Sequence, residues 1–143
     1  MPTSSAPADC IFCKIIAGEI PSKKVYEDDL CVAFYDVAPQ APVHILIIPR
    51  EHISSAAAIK PENSAVVAHI FTVIAKIAAE LNLSNGFRVV TNSGDDARQS
   101  VHHLHFHLLA GRQMSDAMAK STATRILIHT NKVLGKQTCP ALC

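Results

Sequence analysis

A histidine-rich segment near residue 105 constrains the fold more than any other part of the chain. His103, His105 and His107 are separated from one another by single apolar residues. Because successive side chains of a β-strand point to opposite faces, this alternation predicts a strand over residues 100–110 that carries the three histidines on one face. The intervening apolar residues then face the core, and His102 is expected off the triad face, as a surface or packing residue.

The spacing of these histidines bears on their chemistry. At a rise of about 3.3 Å per residue, His103 and His107 lie about 13 Å apart along a strand, which disfavours one metal site built from all three. A neutral imidazole is a nucleophile near neutral pH, and neighbouring imidazoles can fix its tautomer and donate hydrogen bonds to an anion. This combination suits reactions at phosphorus. The alternative is a polar surface or a metal-scavenging patch.

Length and charge narrow the class of protein. The 143 residues suffice for one domain, and 13 Lys and Arg against 12 Asp and Glu leave a formal charge of +1, so no nucleic-acid partner is expected. No apolar run reaches the about 18 residues of a membrane span, and the first nine residues do not resemble a secretory signal. Five cysteines without such a signal indicate reduced thiols. We therefore expect a cytoplasmic protein with no membrane partner, a nuclear location also being allowed.

The remaining patterns predict an α+β domain. A short helix over residues 10–17 is expected, with Asp9 as its N-cap and Gly18 as its stop. A long helix begins near Pro61 and carries apolar residues at every third or fourth position as far as Leu81. Strands are predicted over residues 30–35, 44–48, 87–91 and the histidine segment. Since helices and strands do not alternate regularly, an antiparallel sheet is favoured over a doubly wound parallel one.

Four segments together resemble the histidine triad (HIT) superfamily. They are residues 10–21, 36–44, 47–54 and 99–114, the last with His-x-His-x-His and apolar x. The resemblance covers roughly residues 9–114, which leaves residues 1–8 as a flexible lead-in and residues 115–143 as a divergent C-terminal extension. A helix is the expected element over residues 115–136. The sequence Ala-Gly-Arg-Gln-Met after the triad is similar to the Hint branch, since the diadenosine-polyphosphate hydrolase (Fhit) branch typically has a proline there.

The resemblance implies a fold, a partner and a reaction. The fold is a HIT-like antiparallel sheet with one long and one short helix, and two copies form a homodimer with a continuous sheet. The reaction is hydrolysis of purine nucleoside phosphoramidates, which releases an amine and the nucleoside monophosphate. By the family pattern His105 attacks the phosphorus and forms a covalent nucleotidyl-histidine. His107 contacts the phosphate, Ser100 hydrogen-bonds the phosphate or leaving group, and His44 supports the triad from the neighbouring strand.

The resemblance also implies nucleotide contacts. Asp36 matches the carboxylate that accepts hydrogen bonds from both ribose hydroxyls. Apolar positions around the base match Ile11, Phe12, Ile15, Ile20, Phe34, Val37 and Leu46. Asn92, Gln99 and Ser100 match the loop that holds the phosphate. In this loop Ala-Arg stands where Hint proteins usually have two glycines, so the side chain of Arg98 either meets the anionic substrate or points into solvent.

A Cys-x-x-Cys pair at Cys10 and Cys13 is the second constellation. By itself it is compatible with buried thiols, redox chemistry or metal binding. In the zinc-containing HIT proteins that this segment resembles, the remaining ligands match His52 and the first triad histidine, His103. The implied site has the Cys2His2 composition of a closed structural Zn2+ site, which anchors the short helix and does not activate water. No organic cofactor is implied.

Other functions stay open at the level of sequence. A diadenosine-polyphosphate hydrolase or a nucleotidyl transferase of the same superfamily shares the triad and its covalent intermediate. A zinc-stabilised module that binds nucleotide with little turnover is a further alternative. The remaining cysteines of the tail, Cys139 and Cys143, match nothing in the family, and His69 and His129 are assigned structural roles.

Overall fold

The computed structural model of the protein describes residues 7–119, which form one antiparallel sheet with helices on its faces. The helices are α1 (Ile11–Ile16) and α2 (Ala65–Glu80), and the strands are β1 (Lys24–Glu27), β2 (Cys31–Tyr35), β3 (Val43–Pro49), β4 (Arg88–Val90) and β5 (Phe106–Ala110). Their order across the sheet is β1-β2-β3-β5-β4, and all neighbours are antiparallel. This architecture confirms the predicted α+β class.

Helix α2 supplies one wall of the main core. Its predicted apolar face, which includes Ile70, Ile74 and Ile77, is almost completely buried. That face packs against residues of the histidine segment such as Leu104 and Leu108, which alternate with the triad histidines. The apolar half of the histidine segment therefore lies where the alternation places it, on the face of the sheet opposite the histidines.

Helix α1 covers the second face of the sheet. Phe12 and Ile15 are buried in a smaller cluster with residues of β2 and β3. The sequence predicts Asp9 as the N-cap of α1, but in the structure the N-cap is Cys10. Cys10 has extended backbone, and its Sγ accepts the backbone N–H of Cys13 at 3.4 Å, which occupies the donor that an Asp9 carboxylate would have capped.

Strand β5 is shorter than predicted because its partner strand contains a proline. The pairing of β3 with β5 begins at Ile47 opposite Phe106. Two residues further along β3, Pro49 has no N–H to offer the ladder, so the pairing stops. His103 and Leu104 therefore lie outside the strand, and a single backbone hydrogen bond from Leu104 to the Ile53 carbonyl holds this segment.

Three turns end with the same hydrogen-bond pattern, the Schellman motif. In each, one N–H donates to the carbonyl five residues earlier, and the preceding N–H donates to the carbonyl three residues earlier. The left-handed residue is Gly18 after α1 (φ 79°), Asn82 after α2 (φ 55°) and Arg98 in the loop before the histidine segment (φ 59°). Glycine and asparagine are usual at this position, whereas arginine is not.

No helix within residues 7–119 is long and apolar enough to span a bilayer. The predicted helix over residues 115–136 extends past residue 119, so most of it lies outside the described residues, as do His129, Cys139, Cys143 and most of the N-terminal lead-in.

Candidate functional site

A cleft of about 430 Å3 lies between α1 and the sheet, on the histidine face. His105, His107 and Ser100 line it at one side, and Asp36 lies near the end of β2. The predicted base-contact residues all line the same cleft: Ile11, Phe12, Ile15, Ile20, Phe34, Val37 and Leu46. The structure adds lining residues that the sequence had not indicated, namely Pro21, Ser22, Tyr35 and Val101.

The tautomer of His105 follows from a backbone carbonyl. Its Nδ1 lies 2.7 Å from the carbonyl oxygen of His103. Since a carbonyl only accepts hydrogen bonds, Nδ1 carries the proton and Nε2 keeps its lone pair. Burial lowers the pKa of His105, although the bond to His103 and the charge of Asp36 act in the opposite direction, so the ring is neutral near pH 7. His105 is thus a neutral imidazole with an available Nε2.

A chain of hydrogen bonds fixes His107 in the complementary state. The backbone N–H of Gln40 donates to Nδ1 of His44 at 2.9 Å, so the proton of His44 is on Nε2. That Nε2–H lies 2.8 Å from Nδ1 of His107 and donates to it. His107 therefore carries its own proton on Nε2 and offers a donor. The rings of His105 and His107 are in contact, with centroids 5.1 Å apart.

Burial also keeps His44 and His107, the two histidines joined by these hydrogen bonds, neutral. It lowers the pKa of His44, against the opposing charge of Asp36. Burial, followed by the neighbouring His105 and His44, lowers the pKa of His107 to about 4, although Asp36 acts in the opposite direction. The Asp36 carboxylate accepts the N–H of Ala38 through Oδ1 at 2.8 Å, while Oδ2 lies 3.4 Å from Nε2 of His44. Asp36 is the acidic residue of the cleft lining.

A second group of side chains converges beside α1. Cys10, Cys13, His52 and His103, hereafter the metal cluster, place all four of their ligand atoms within 4.8 Å of one another. Nδ1 of His52 and Nδ1 of His103 are 3.1 Å apart, and Sγ of Cys13 lies 3.4 Å and 3.5 Å from these two nitrogens. Sγ of Cys10 lies 3.5 Å from Nδ1 of His103. The four residues predicted as ligands are brought together and can hold a metal ion.

The separations fit a tetrahedral ion. With metal–nitrogen bonds of about 2.0 Å and metal–sulfur bonds of about 2.3 Å, tetrahedral geometry separates two nitrogens by about 3.3 Å and a sulfur from a nitrogen by about 3.5 Å. Nε2 of His103 donates to the carbonyl of Pro49 at 2.8 Å, which leaves the Nδ1 lone pair facing the thiols. Without a cation, burial and then the Cys10 thiol raise the pKa of Cys13 to about 12. A bound cation would reverse that preference.

A third cluster fails the same test. Asp28, Cys31 and His69 also bring ligand atoms together, but Nε2 of His69 is 2.6 Å from Oδ2 of Asp28, too close for both to bind one ion. Tyr26 donates to the same oxygen. Burial by itself raises the pKa of Asp28, but the hydrogen bonds from His69, from two backbone N–H groups and from Tyr26 outweigh it and hold the pKa well below its usual range. The turn at Asp28 and its hydrogen bond to His69 of α2 are assigned a structural role.

The predicted phosphate loop lies beside the cleft, but most of it does not line the cleft. Gln99 is buried, and its amide accepts the Gly94 N–H and donates to the carbonyls of Ser54 and Val101, so it braces the loop. Asn92 is half-buried and does not line the cleft. The side chain of Arg98 is exposed and has no hydrogen-bond or ion-pair partner within residues 7–119. His102 is also exposed.

Comparison with known proteins agrees with this fold. The HIT domain family matches residues 17–114. An uncharacterised HIT-like protein of Synechococcus elongatus is 50% identical over 107 residues, which are 75% of this chain and 94% of that protein. The structure of a HIT family hydrolase from Clostridium thermocellum superposes with a TM-score of 0.77 at 42% identity, covering 80% of this chain and all of the other.

A histidine triad protein from Clostridium difficile is similar to the same extent. It superposes with a TM-score of 0.76 at 50% identity, covering 78% of this chain and 98% of that chain. The family match extends over more than half of the present chain, and the relatives are matched over nearly their whole lengths. The chain therefore belongs to the HIT domain family, which includes hydrolases.

Proposed function

We propose that the protein hydrolyses the P–N bond of purine nucleoside phosphoramidates, as a Hint-like member of its family. The observation that carries the proposal is the pair of opposite tautomers in the cleft. His105 offers a lone pair on Nε2, and its neighbour His107 offers a proton on Nε2. A nucleophile beside a hydrogen-bond donor suits attack on a phosphorus whose other oxygens carry negative charge.

In the first step His105 Nε2 forms a bond to the α-phosphorus, and the P–N bond breaks. The departing nitrogen takes a proton from solvent, and Ser100 hydrogen-bonds it at the edge of the cleft. The nucleotidylated imidazole keeps its Nδ1–H and carries a positive charge, which the carbonyl of His103 stabilises. His107 Nε2–H donates to a phosphate oxygen throughout.

In the second step water attacks the phosphorus, and the bond from phosphorus to His105 Nε2 breaks. The water loses a proton to solvent, and the neutral imidazole is restored with its proton still on Nδ1. The nucleoside monophosphate then leaves. Because the His105 proton is held by a main-chain carbonyl, the same tautomer serves every turnover.

The lining of the cleft supports a nucleoside substrate. Apolar side chains such as Phe12, Ile15 and Leu46 surround a volume of about 430 Å3, within the range of small-molecule sites. Asp36, near the histidines, has lone pairs available for the two ribose hydroxyls. The base then lies against α1 and β2, and the phosphate lies at His105.

Zinc is the ion proposed for the metal cluster. Two thiols and two imidazoles are the ligand set that tetrahedral Zn2+ prefers, and four protein ligands leave no open position for water. The ion would tie Cys10 and Cys13 of the α1 segment to His52, which follows β3, and to His103, which precedes β5. Its contribution would be structural, holding the helix that forms one wall of the cleft.

A homodimer is proposed as well. The apolar face of α2 packs on its own sheet, so it does not require a partner. Among the large apolar side chains that remain about half exposed are Phe71 on α2 at 48% and Phe87, directly before β4, at 44%. Strand β4 is an edge strand of the sheet, where a second copy would continue it. Light scattering that gives a monomer at micromolar concentration would contradict the dimer.

The test of function compares two histidines, one in the cleft and one outside it. Wild type, His105→Asn and His69→Asn are assayed for steady-state hydrolysis of adenosine 5′-monophosphate joined to a simple amine. Loss of the nucleophile is expected to lower kcat/KM by roughly 10⁴-fold or more, while the variant at His69, which does not line the cleft, stays within about twofold of wild type. Rapid quenching and mass spectrometry should find one added nucleotidyl group on wild type and none on His105→Asn.

Two outcomes would contradict the proposal. Equal turnover by wild type and His105→Asn would exclude His105 as the nucleophile. Nucleotide binding by all three proteins without turnover would instead identify the protein as a binding module. A higher kcat/KM for diadenosine polyphosphates than for phosphoramidates would favour the other hydrolase branch of the family.

A further inference from the structure

A second cavity of about 220 Å3 opens beside the cleft and shares lining residues with it. The shared residues are Ile11, Ser100 and Val101. The far part of this side cavity is lined by Asp9, His52 and His102. Cys10 and His52 of the metal cluster thus line the side cavity, and Ser100 lies where the two cavities meet.

The position of the nucleophile determines what can reach the side cavity. His105 and His107 line the cleft but not the side cavity, so a phosphorus held by them lies in the cleft. In the proposed function the nucleoside fills the apolar part of the cleft among Phe12, Phe34 and Leu46, none of which lines the side cavity. A substituent that extends from phosphorus past Ser100 therefore leads into the side cavity, and in this reaction that substituent is the departing amine.

The charges around the side cavity select among amines. The Asp9 carboxylate is exposed and has no hydrogen-bond or ion-pair partner within residues 7–119. No Lys or Arg of the described chain lines this cavity. Two thiolates and two neutral imidazoles around a divalent ion have no net charge, so the metal cluster does not offset Asp9. The side cavity is therefore negatively charged.

The volume sets a limit on the size of the group. About 220 Å3 corresponds to the space of roughly seven water molecules, which suits a short aliphatic chain and not a second nucleotide. An anionic polyphosphate would also meet the Asp9 carboxylate. Size and charge both favour a small amine with a further positive charge.

We propose that the side cavity binds the leaving group of the substrate and that Asp9 selects amines carrying a second, cationic group. This inference rests on the proposed phosphoramidate hydrolysis and names the class of amine released by it. Asp9 acts on the substrate directly, as a specificity residue for the part that departs.

The experiment uses two matched substrates, adenosine 5′-monophosphate joined through P–N to n-butylamine or to 1,4-diaminobutane. They differ in one terminal ammonium group. Wild type with its metal bound is expected to show a kcat/KM three- to fivefold higher for the diamine conjugate, the size expected of a partly exposed ion pair. In Asp9→Asn the ratio should fall to about one, and in Asp29→Asn, an exposed aspartate outside both cavities, it should stay as in wild type.

A diamine preference that survives in Asp9→Asn, or no preference in wild type, would overturn the proposal. Metal content equal to that of wild type shows that Asp9→Asn leaves the metal cluster intact. If wild type hydrolyses neither conjugate, the proposed reaction fails, and calorimetric binding of the same two conjugates decides the side cavity separately. Tighter binding of the diamine conjugate that depends on Asp9 supports the assignment, and equal binding refutes it.

Discussion

The metal cluster and the cleft each contain one histidine of the same motif, and these two histidines are in opposite tautomers. At His103 the proton is on Nε2, where the Pro49 carbonyl accepts it, and Nδ1 faces the thiols. At His105 the proton is on Nδ1, where the His103 carbonyl accepts it, and Nε2 faces the cleft. The two side chains have the same chemistry and similar burial. Their roles differ because different backbone carbonyls lie beside different ring nitrogens.

This difference shows that function at either histidine depends on main-chain geometry. A carbonyl cannot donate a hydrogen bond, so each one assigns a tautomer without ambiguity. Phe12 contacts both rings, with centroids 5.9 Å from His103 and 5.1 Å from His105. Helix α1 therefore touches both regions, and variants can test how independent they are.

The largest effect is expected from removal of a metal ligand. Cys13→Ala should abolish stoichiometric zinc binding and lower the free energy of unfolding by several kcal/mol, on the order expected when a structural metal site is lost. Metal analysis of chelator-free preparations and denaturant unfolding measure both quantities. Cys31→Ala is the matched control, because Cys31 is fully buried but lies outside the metal cluster. Equal zinc content in Cys13→Ala and wild type would refute the site.

The next largest effect is expected on turnover in the cleft, with no change at the metal cluster. His44→Phe removes the Nε2–H that donates to His107, so His107 loses its fixed tautomer. We expect kcat on a phosphoramidate to fall by about 10- to 100-fold while zinc content is unchanged. In His44→Gln the side-chain amide can still donate, so this variant should recover part of the loss. An unchanged kcat in His44→Phe would show that the hydrogen-bond chain does not matter for turnover.

The free energy of unfolding should depend on pH in part through His107 in the cleft. Burial lowers the pKa of His107 to about 4 from its usual 6.5, so below pH 6.5 the unfolded chain binds a proton that the folded protein does not. The stability that His107 contributes is complete above pH 6.5 and decreases as the pH falls towards 4. Unfolding free energies at pH 7.5 and pH 5.0 should therefore differ more in wild type than in His107→Gln. An equal difference in both proteins would contradict this assignment.

The smallest effect is expected in the loop that leads to both regions. Arg98 has a left-handed backbone (φ 59°), and its side chain has no partner within residues 7–119, so Arg98→Gly should raise the free energy of unfolding by about 1 kcal/mol. Asn82→Gly, at the same position of another Schellman motif, should gain less because asparagine tolerates this conformation. A destabilised Arg98→Gly variant would reveal a contact that outweighs the strain.

The sequence predicts those features that depend on local periodicity. Alternation correctly places Leu104 and Leu108 in the core and the triad histidines on the opposite face, and the apolar repeat correctly predicts α2. The start of β5 could not be predicted, since it depends on which residue of β3 lies opposite. Pairing ends because that residue is Pro49, and the register is set only when the sheet forms.

The features of the candidate site likewise divide into those that the sequence predicts and those that it does not. Composition and spacing indicated that the histidines carry the chemistry, while the ligands of the metal cluster and the residues of the cleft came from the family resemblance. The bracing role of Gln99 and the Schellman position of Arg98 depend on nonlocal or turn-level hydrogen bonds. The Asp28 network was also missed, although an aspartate directly before a strand is a common Asx-turn signal.

The hydrogen bond from His105 to residue 103 has a consequence for how such proteins can diverge. Its acceptor is a main-chain oxygen, which every amino acid at position 103 would supply. A descendant of this chain could exchange the metal-binding imidazole for another side chain and still present the same lone pair to its substrate. The proposed metal is in this sense replaceable during evolution, whereas the backbone path through residue 103 is not.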